Sequence, residues 1–382
     1  MIYELLFPYR NSAHWLGFLN VLRYIPFRVI MATITAMFFS FFLAPWFIRE
    51  LRRKQIGQIV REDGPESHRI KAGTPTMGGA LILLSLLVPT VLWADLRNPF
   101  VLATAAVTAG YGVIGYLDDY LKIKHRHAGG LAGRWKLLGQ LVIAGAALAF
   151  VFLDTHKMPP DWIAERTHLA VPFLAFSKHP ITLPLWFYLP FVVVVVIGTS
   201  NAVNLTDGLD GLAIGPVMIS AGTYMVWAYI AGSTFLFLHF QKFVTLPQYL
   251  DIAPNAHAGE LAVYCGAMIG AGLGFLWYNT YPAQVFMGDV GSLALGGGLG
   301  MLAVLTKNEL LSILLGGIFV VEALSVIVQV GSFKLTGKRI FLMAPIHHHY
   351  EKKGWPEPRI IVRFWIISIL LALVSLASMK VR

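Results

Sequence analysis

Cysteine is almost missing from this sequence, and charged side chains are scarce. A single cysteine, Cys265, in 382 residues leaves no intrachain disulfide to hold the chain, and it lies within an apolar run, so the fold must depend on packing. Charged residues make up 13% against 57% hydrophobic, with a mean hydropathy of +0.66, and this excludes a water-soluble globular domain. Strict polar/apolar alternation is also lacking, which argues against a barrel of membrane strands. The first 25 residues carry Arg10, Asn11, His14 and Arg23 among aromatics, not the basic start and clean apolar stretch of a cleaved signal, so they read as an interfacial lead-in. No internal repeat of the kind built into inverted-repeat transporters is evident.

What the chain does have is long apolar runs. About ten recur, at roughly 26–48, 77–94, 100–117, 136–153, 188–206, 209–230, 258–278, 288–306, 310–333 and 361–379, each long enough as a helix to cross a hydrocarbon layer of about 30 Å. Backbone groups facing lipid must bond within their own segment, so the expected fold is all-α: a polytopic integral membrane protein, one transmembrane catalytic domain over residues 1–382. The formal charge of +10 does not point to nucleic acid, because in a membrane chain the placement of Lys and Arg matters more than their sum. Stretches 49–76, 119–136 and 334–360 carry 7, 5 and 6 of them, whereas ten are spread over the opposite connections. The excess predicts that the first set faces the cytoplasm and that both termini lie on the periplasmic side.

With that topology, the acids, amides and histidines that cluster at the ends of the runs fall on one side of the membrane. Asp118 and Asp119 close the third run, Asn201, Asn204 and Asp207 the fifth, and Asn279 the seventh; Asp210 and Asp289 open the sixth and eighth, and His347, His348 and His349 lie between the last two. Such residues usually face a bundle interior or a water-filled cavity, so their clustering predicts a site. A transporter would instead place its groups near the midplane.

Each group suggests a chemistry. Asp118 and Asp119 repel unless a cation or basic neighbour holds them, and Lys122, three and four residues on, shares their helix face; Mg²⁺ suits such carboxylates and completes its shell with water and phosphate oxygens. Lys122 in place of a third acid weakens a comparison with prenyl synthases. Gly208 and Gly211 permit a tight turn after the fifth run, yet a helix stop does not require Asn201, Asn204, Asp207 and Asp210, and nucleotide or metal contacts explain the surplus better. Asp289 can partner a helix N-terminus or a metal, and Phe286 can stack on a flat ring or merely sit at the interface. On a helix the three consecutive histidines diverge by about 100° each and cannot share one metal, so phosphate handling beside Lys352 and Lys353 is the preferred reading. Gly296, Gly297, Gly298 and Gly300 read as close helix packing, and Gly129, Gly130 and Gly133 form no complete phosphate loop. The other charged residues read mostly as loop solvation. The outward stretches 154–187 and 231–256 have room for a hairpin or a short helix.

These motifs together, with Pro75, Thr76, Met77, Gly78 and Gly79, resemble the polyprenyl-phosphate N-acetylhexosamine-1-phosphate transferases over essentially the whole chain. The histidine-rich stretch is similar to that of the subgroup using UDP-MurNAc-pentapeptide and separates it from relatives that transfer GlcNAc-1-phosphate. The resemblance implies ten transmembrane helices, a homodimer in the bacterial cytoplasmic (inner) membrane, undecaprenyl phosphate as acceptor, and lipid I and UMP as products. It further implies Mg²⁺ on Asp289 and Asp118 and Asp119 near the acceptor phosphate, one of them a proton acceptor. It puts Lys122 and Lys136 on phosphates, and Asn204, Asp207, Gly208, Asn279 and Phe286 around uridine. His347, His348 and His349 would meet the diphosphate or sugar. Direct attack and a two-step path through an aspartyl phosphate both fit these residues.

Overall fold

A computed structural model of the chain describes residues 2–12, 14–53, 73–125, 129–154, 158, 160–178, 181–239 and 242–380. Ten apolar helices run through these: α1 (Ile25–Arg53), α2 (Gly79–Trp93), α3 (Pro99–His125), α4 (Gly133–Leu153), α5 (Leu185–Thr206), α6 (Ile214–Ala231), α7 (Leu261–Asn279), α8 (Gly288–Leu305), α9 (Gly317–Thr336) and α10 (Glu357–Ala377). Among the described residues nine helices are long and apolar enough to cross a membrane; α2, with 15 residues, is shorter. The all-α polytopic expectation therefore holds. Two boundaries differ. The run expected at 310–333 is cut at Gly316 into a short turn of helix, Leu311–Leu315, followed by α9, and the run expected from 209 starts only at Ile214. There the polar turn Asp207–Ala213, with Gly211 at φ +74°, precedes the helix. Much of the basic stretch assigned to the cytoplasm, residues 54–72 and 126–128, lies outside the described residues.

Glycine decides how close the helices come. Every residue of α8 from Val290 to Leu305 is buried, which is why its exposed-face requirement for polar residues vanishes. Gly296 and Gly300 lie against the α5 backbone, where an added Cβ would sit 2.7 Å from the Cα atoms of Ser200 and Val196, and Gly297 faces the Tyr111 ring of α3. Gly266, Gly270 and Gly274, at spacing four on α7, take the α1 backbone in the same way. These approaches bring the start of α8 between the ends of α3 and α5.

The end of the bundle where α8 finishes corrects one expectation. Charged residues there are not merely solvated. Arg28 of α1, 2% exposed, forms a two-pronged pair with Glu260 at 2.5 and 2.6 Å. Lys307 and Glu309, just beyond α8, are 2% and 1% exposed; the Lys307 ammonium donates to the Arg166 carbonyl at 2.6 Å and to the Tyr188 hydroxyl at 3.0 Å, and Tyr188 donates to Glu309. Burial, partly opposed by Glu309, lowers the Lys307 ammonium to about 8. The stretches expected to hold a hairpin or short helix contain both: β1 (His168–Leu169) pairs with β2 (Ile181–Thr182), and β3 (Leu236–His239) pairs antiparallel with β4 (Lys242–Thr245), Leu238 opposite Phe243. Helices Pro160–Glu165 and Leu246–Leu250 lie beside them in the chain.

Replacing Lys307 by Ala leaves the buried Glu309 carboxylate without its cation, so it should destabilise the protein by about 3–5 kcal/mol. A thermal unfolding scan in detergent checks this, and adding Glu309→Gln to the variant should recover part of the loss.

Candidate active site

Two odd-numbered helices end, and two even-numbered helices begin, where the predicted residues gather. α3 brings Asp118 and Asp119 on its last turns, with Lys122 on the same face: the ammonium lies 2.5 Å from Asp118 and 3.5 Å from Asp119. α4 brings Lys136 on its first turn, α5 brings Asn204 on its last, and α8 opens with Gly288 and Asp289. Asp289 is the common point. Its Oδ2 accepts from Lys122 at 3.0 Å and from Lys136 at 2.8 Å, and its Oδ1 accepts from the Asn204 amide at 2.8 Å. The same amide reaches Ser292 Oγ at 2.8 Å. Asp119 receives the Val290 N–H at 3.4 Å, at the N-terminal end of α8, where peptide dipoles favour an anion.

Glycines let this cluster close. Gly288, at φ +70°, lies so near Asp119 that an added Cβ would meet its Oδ2 at 2.6 Å. Gly130, at φ +49°, lies against Asp118, where an added Cβ would meet Oδ1 at 2.7 Å, and the next N–H, of Leu131, donates to that oxygen at 2.8 Å. The sequence offers a trace of this in the glycines at 129, 130 and 133.

Carboxylate oxygens of Asp118, Asp119 and Asp289 lie within 4.8 Å of one another. Three carboxylates face two ammonium groups, so one negative charge is left over in a largely buried place, and an all-oxygen set of this size suits a hard divalent cation. Asp118 Oδ2 has Lys122 at 2.5 Å and Lys136 at 3.6 Å against it, so both lysines expected on phosphates instead neutralise carboxylates here.

One turn deeper lies a polar layer of which sequence reading singled out Asn201 alone. Gln140, four residues after Lys136, accepts from Asn201 at 2.9 Å and donates to Ser200 at 3.3 Å; Ser200 donates to the Leu293 carbonyl, and Tyr111 donates to the Gln140 carbonyl. The only sequence signal was a lone amide in an apolar run.

The remaining predicted residues form a second group. Asn279, 3% exposed, accepts from the Gly211 N–H at 2.9 Å and donates to the Val285 carbonyl at 2.8 Å, so both ends of its amide close loops. Asp210 accepts from the Ala283 N–H at 3.0 Å, and Trp365 of α10 donates to the Gly211 carbonyl. Phe286 is half-buried, its N–H on the Pro75 carbonyl and its carbonyl on the Gly78 N–H, both at 2.8 Å. Asp207 caps α5 and is half-buried. The histidines lie on a short helix, Ile346–Lys352, where the rings of His347 and His348 touch, their centroids 4.1 Å apart, while each of the three has a different polar partner. His347 is buried, with Nδ1 3.1 Å from Glu322 of α9 and Nε2 against Gly208; His348 pairs with Glu351 at 2.6 Å; His349 Nδ1 accepts from the Leu342 N–H. His347 is thus a joint between elements, and Glu322 is a partner that sequence reading did not single out.

Two family models match the chain. One, glycosyl transferase family 4, covers residues 101–307; the other, phospho-N-acetylmuramoyl-pentapeptide-transferase signature 1, covers 71–83. A phospho-N-acetylmuramoyl-pentapeptide-transferase from Sorangium cellulosum is 75% identical over 382 residues, the whole of both chains. Proteins of the same name from Pelobacter propionicus and Geobacter sp. are each 54% identical, again over full length. The chain belongs to glycosyl transferase family 4. The family-4 match contains Asp289 and all five residues that converge on it, and signature 1 contains the stretch from Pro75 to Gly78 whose backbone holds Phe286. Membership of a transferase family also disposes of the ion-coupled transporter alternative.

Replacing Gly288 by Ala in this family-4 enzyme forces an unfavourable φ and a collision with Asp119. If the acidic cluster holds a divalent cation, Mn²⁺ affinity, followed by paramagnetic titration of the purified protein, should fall about tenfold, because the added Cβ displaces the Asp119 oxygen and about 1.4 kcal/mol of lost ligation is a factor of ten.

Proposed function

We propose that this enzyme transfers phospho-MurNAc-pentapeptide from UDP-MurNAc-pentapeptide to undecaprenyl phosphate, giving lipid I and UMP, the first membrane step of peptidoglycan synthesis. The observation that carries it is the convergence of Asp118, Asp119, Lys122, Lys136 and Asn204 on Asp289. It works as one transmembrane catalytic unit, as a homodimer, in the cytoplasmic (inner) membrane, with the site facing the cytoplasm. The basic excess of stretches 49–76, 119–136 and 334–360 supports that orientation.

The reaction joins two anions. An oxygen of the lipid phosphate attacks the sugar-proximal phosphorus, the bond from that phosphorus to the bridging oxygen breaks, and UMP leaves with the electron pair. Repulsion between the reactants is the main barrier, so the residues act by holding and neutralising charge at fixed places in a site of low dielectric. Asp289, with support from one of Asp118 and Asp119, would hold Mg²⁺, which would supply Lewis-acid polarisation of phosphate oxygens when bound. When donor and acceptor enter, Lys122 and Lys136 exchange carboxylate contacts for phosphate oxygens. One of Asp118 and Asp119 takes the proton of a protonated acceptor phosphate, and the other keeps the cluster aligned. Asn204, Asp207, Gly208, Asn279 and Phe286 shape the uridine side, Asn279 by fixing the loop and Phe286 by presenting its ring. His347, His348 and His349 serve the diphosphate or sugar side, His347 through its contact with Gly208. Direct attack is the simpler path, and trapping a phosphorylated enzyme with donor alone would replace it with the two-step route.

Asp289→Asn should leave the protein inserted and reduce metal-dependent UMP release by at least about a hundredfold, the scale expected for one electrostatic group at a developing charge. Full activity would remove Asp289 from the mechanism. Offering UDP-MurNAc-pentapeptide and UDP-GlcNAc side by side tests the donor: UMP release should require the former, and preference for UDP-GlcNAc would reassign the enzyme to GlcNAc-1-phosphate transfer.

A further inference from the structure

α9 carries a carboxylate that the mechanism does not use. Glu322 has none of its side chain exposed and sits beside buried Ile318, Phe319 and Ser325. An ionisable residue at such depth is costly to keep and marks a function by default. Its Oε2 lies 3.1 Å from His347 Nδ1, and its other oxygen has no hydrogen bond among the described residues.

The pairing dictates what the ring can do. A carboxylate at Nδ1 accepts a hydrogen bond from Nδ1–H, which keeps the proton on that nitrogen and fixes the imidazole's orientation, as acid–histidine pairs do around metals. Nε2 then lies at the far side of the ring, pressed against Gly208, where a Cβ would overlap it. His347, itself 0% exposed, is therefore a spacer between α9 and the turn after α5. That turn is tied onward: Gly211 to Asn279, Asp210 to Ala283, and Asn204, one helical turn back, to Asp289. We infer that Glu322 is a positioning residue which, through His347, sets the 207–211 turn and with it the donor side of the site. The inference rests on the transfer reaction proposed above.

Purified full-length wild type, Glu322→Gln and Glu322→Ala are compared by UMP release with donor and acceptor varied in turn, and by equilibrium binding of UMP alone. Gln keeps an acceptor for the Nδ1 proton, so Glu322→Gln should stay near wild type. Glu322→Ala should raise the donor KM and weaken UMP binding by about tenfold, the effect of a small misplacement, while the acceptor KM stays close to the wild-type value. The inference is overturned by an unchanged Glu322→Ala, by a Glu322→Gln as impaired as Glu322→Ala, or by donor and acceptor KM rising together, which marks general loosening. Should Glu322→Ala not fold, His347→Phe, which keeps the ring shape without its nitrogens, must show the same donor-selective loss. If wild type releases no UMP, the transfer reading falls, and the UMP-binding comparison still decides the role of Glu322.

Discussion

The structure depends on one electrostatic constraint: three carboxylates at the same buried end of a helical bundle, opposed by two lysines. Alone, Asp118, Asp119 and Asp289 would repel in a medium that screens poorly. Lys122 and Lys136 meet that repulsion, and Asn204 and the Val290 N–H take the remaining lone pairs of Asp289 and Asp119. The balance is incomplete by one charge. A site with a deficit of positive charge is ready for a divalent cation, and a cation-loaded site is ready for phosphates.

Such an arrangement demands close backbones. Side chains as short as Asp and Asn reach one another across four helices only if the helices nearly touch. The glycines at 115, 288, 296 and 300 remove the Cβ atoms that would hold α8 away from α3 and α5. Gln140, Ser200 and Asn201 then bind the same helices one turn deeper, so the lysine on α4 and the amide on α5 approach Asp289 from fixed directions. At the opposite end, buried pairs such as Arg28 with Glu260 and Lys307 with Glu309 stitch the outer connections to the bundle. Packing and polar bonding divide the labour: glycine sets the distance, and buried hydrogen bonds set the rotation.

Much of the cluster was legible beforehand. Acids and amides at helix ends in a chain so poor in charge stand out, and the odd–even order of crossings put them at one end. Less legible were residues whose importance lies in what they support. Asn279 and His347 look like ligands in the sequence, yet the fold turns both inward, onto backbone and onto Glu322. Lys307 and Glu309 looked like loop charges because nothing local distinguishes a solvated charge from a buried one. Glu322 was passed over because a single acid in an apolar run has no visible partner until another part of the chain supplies one.

By itself the sequence determined the all-helical membrane architecture, the approximate place of each span and the kinds of side chain at each helix end. Those properties follow from backbone hydrogen bonding in lipid and from the length of apolar runs, which are local. Tertiary structure alone decided that Lys122 and Asp289, 167 residues apart, share a contact, that both lysines face carboxylates, and that Glu322 stands behind His347. These pairings depend on which helix faces which, and at what rotation, and that is settled by glycine-to-backbone contacts between segments distant in the chain.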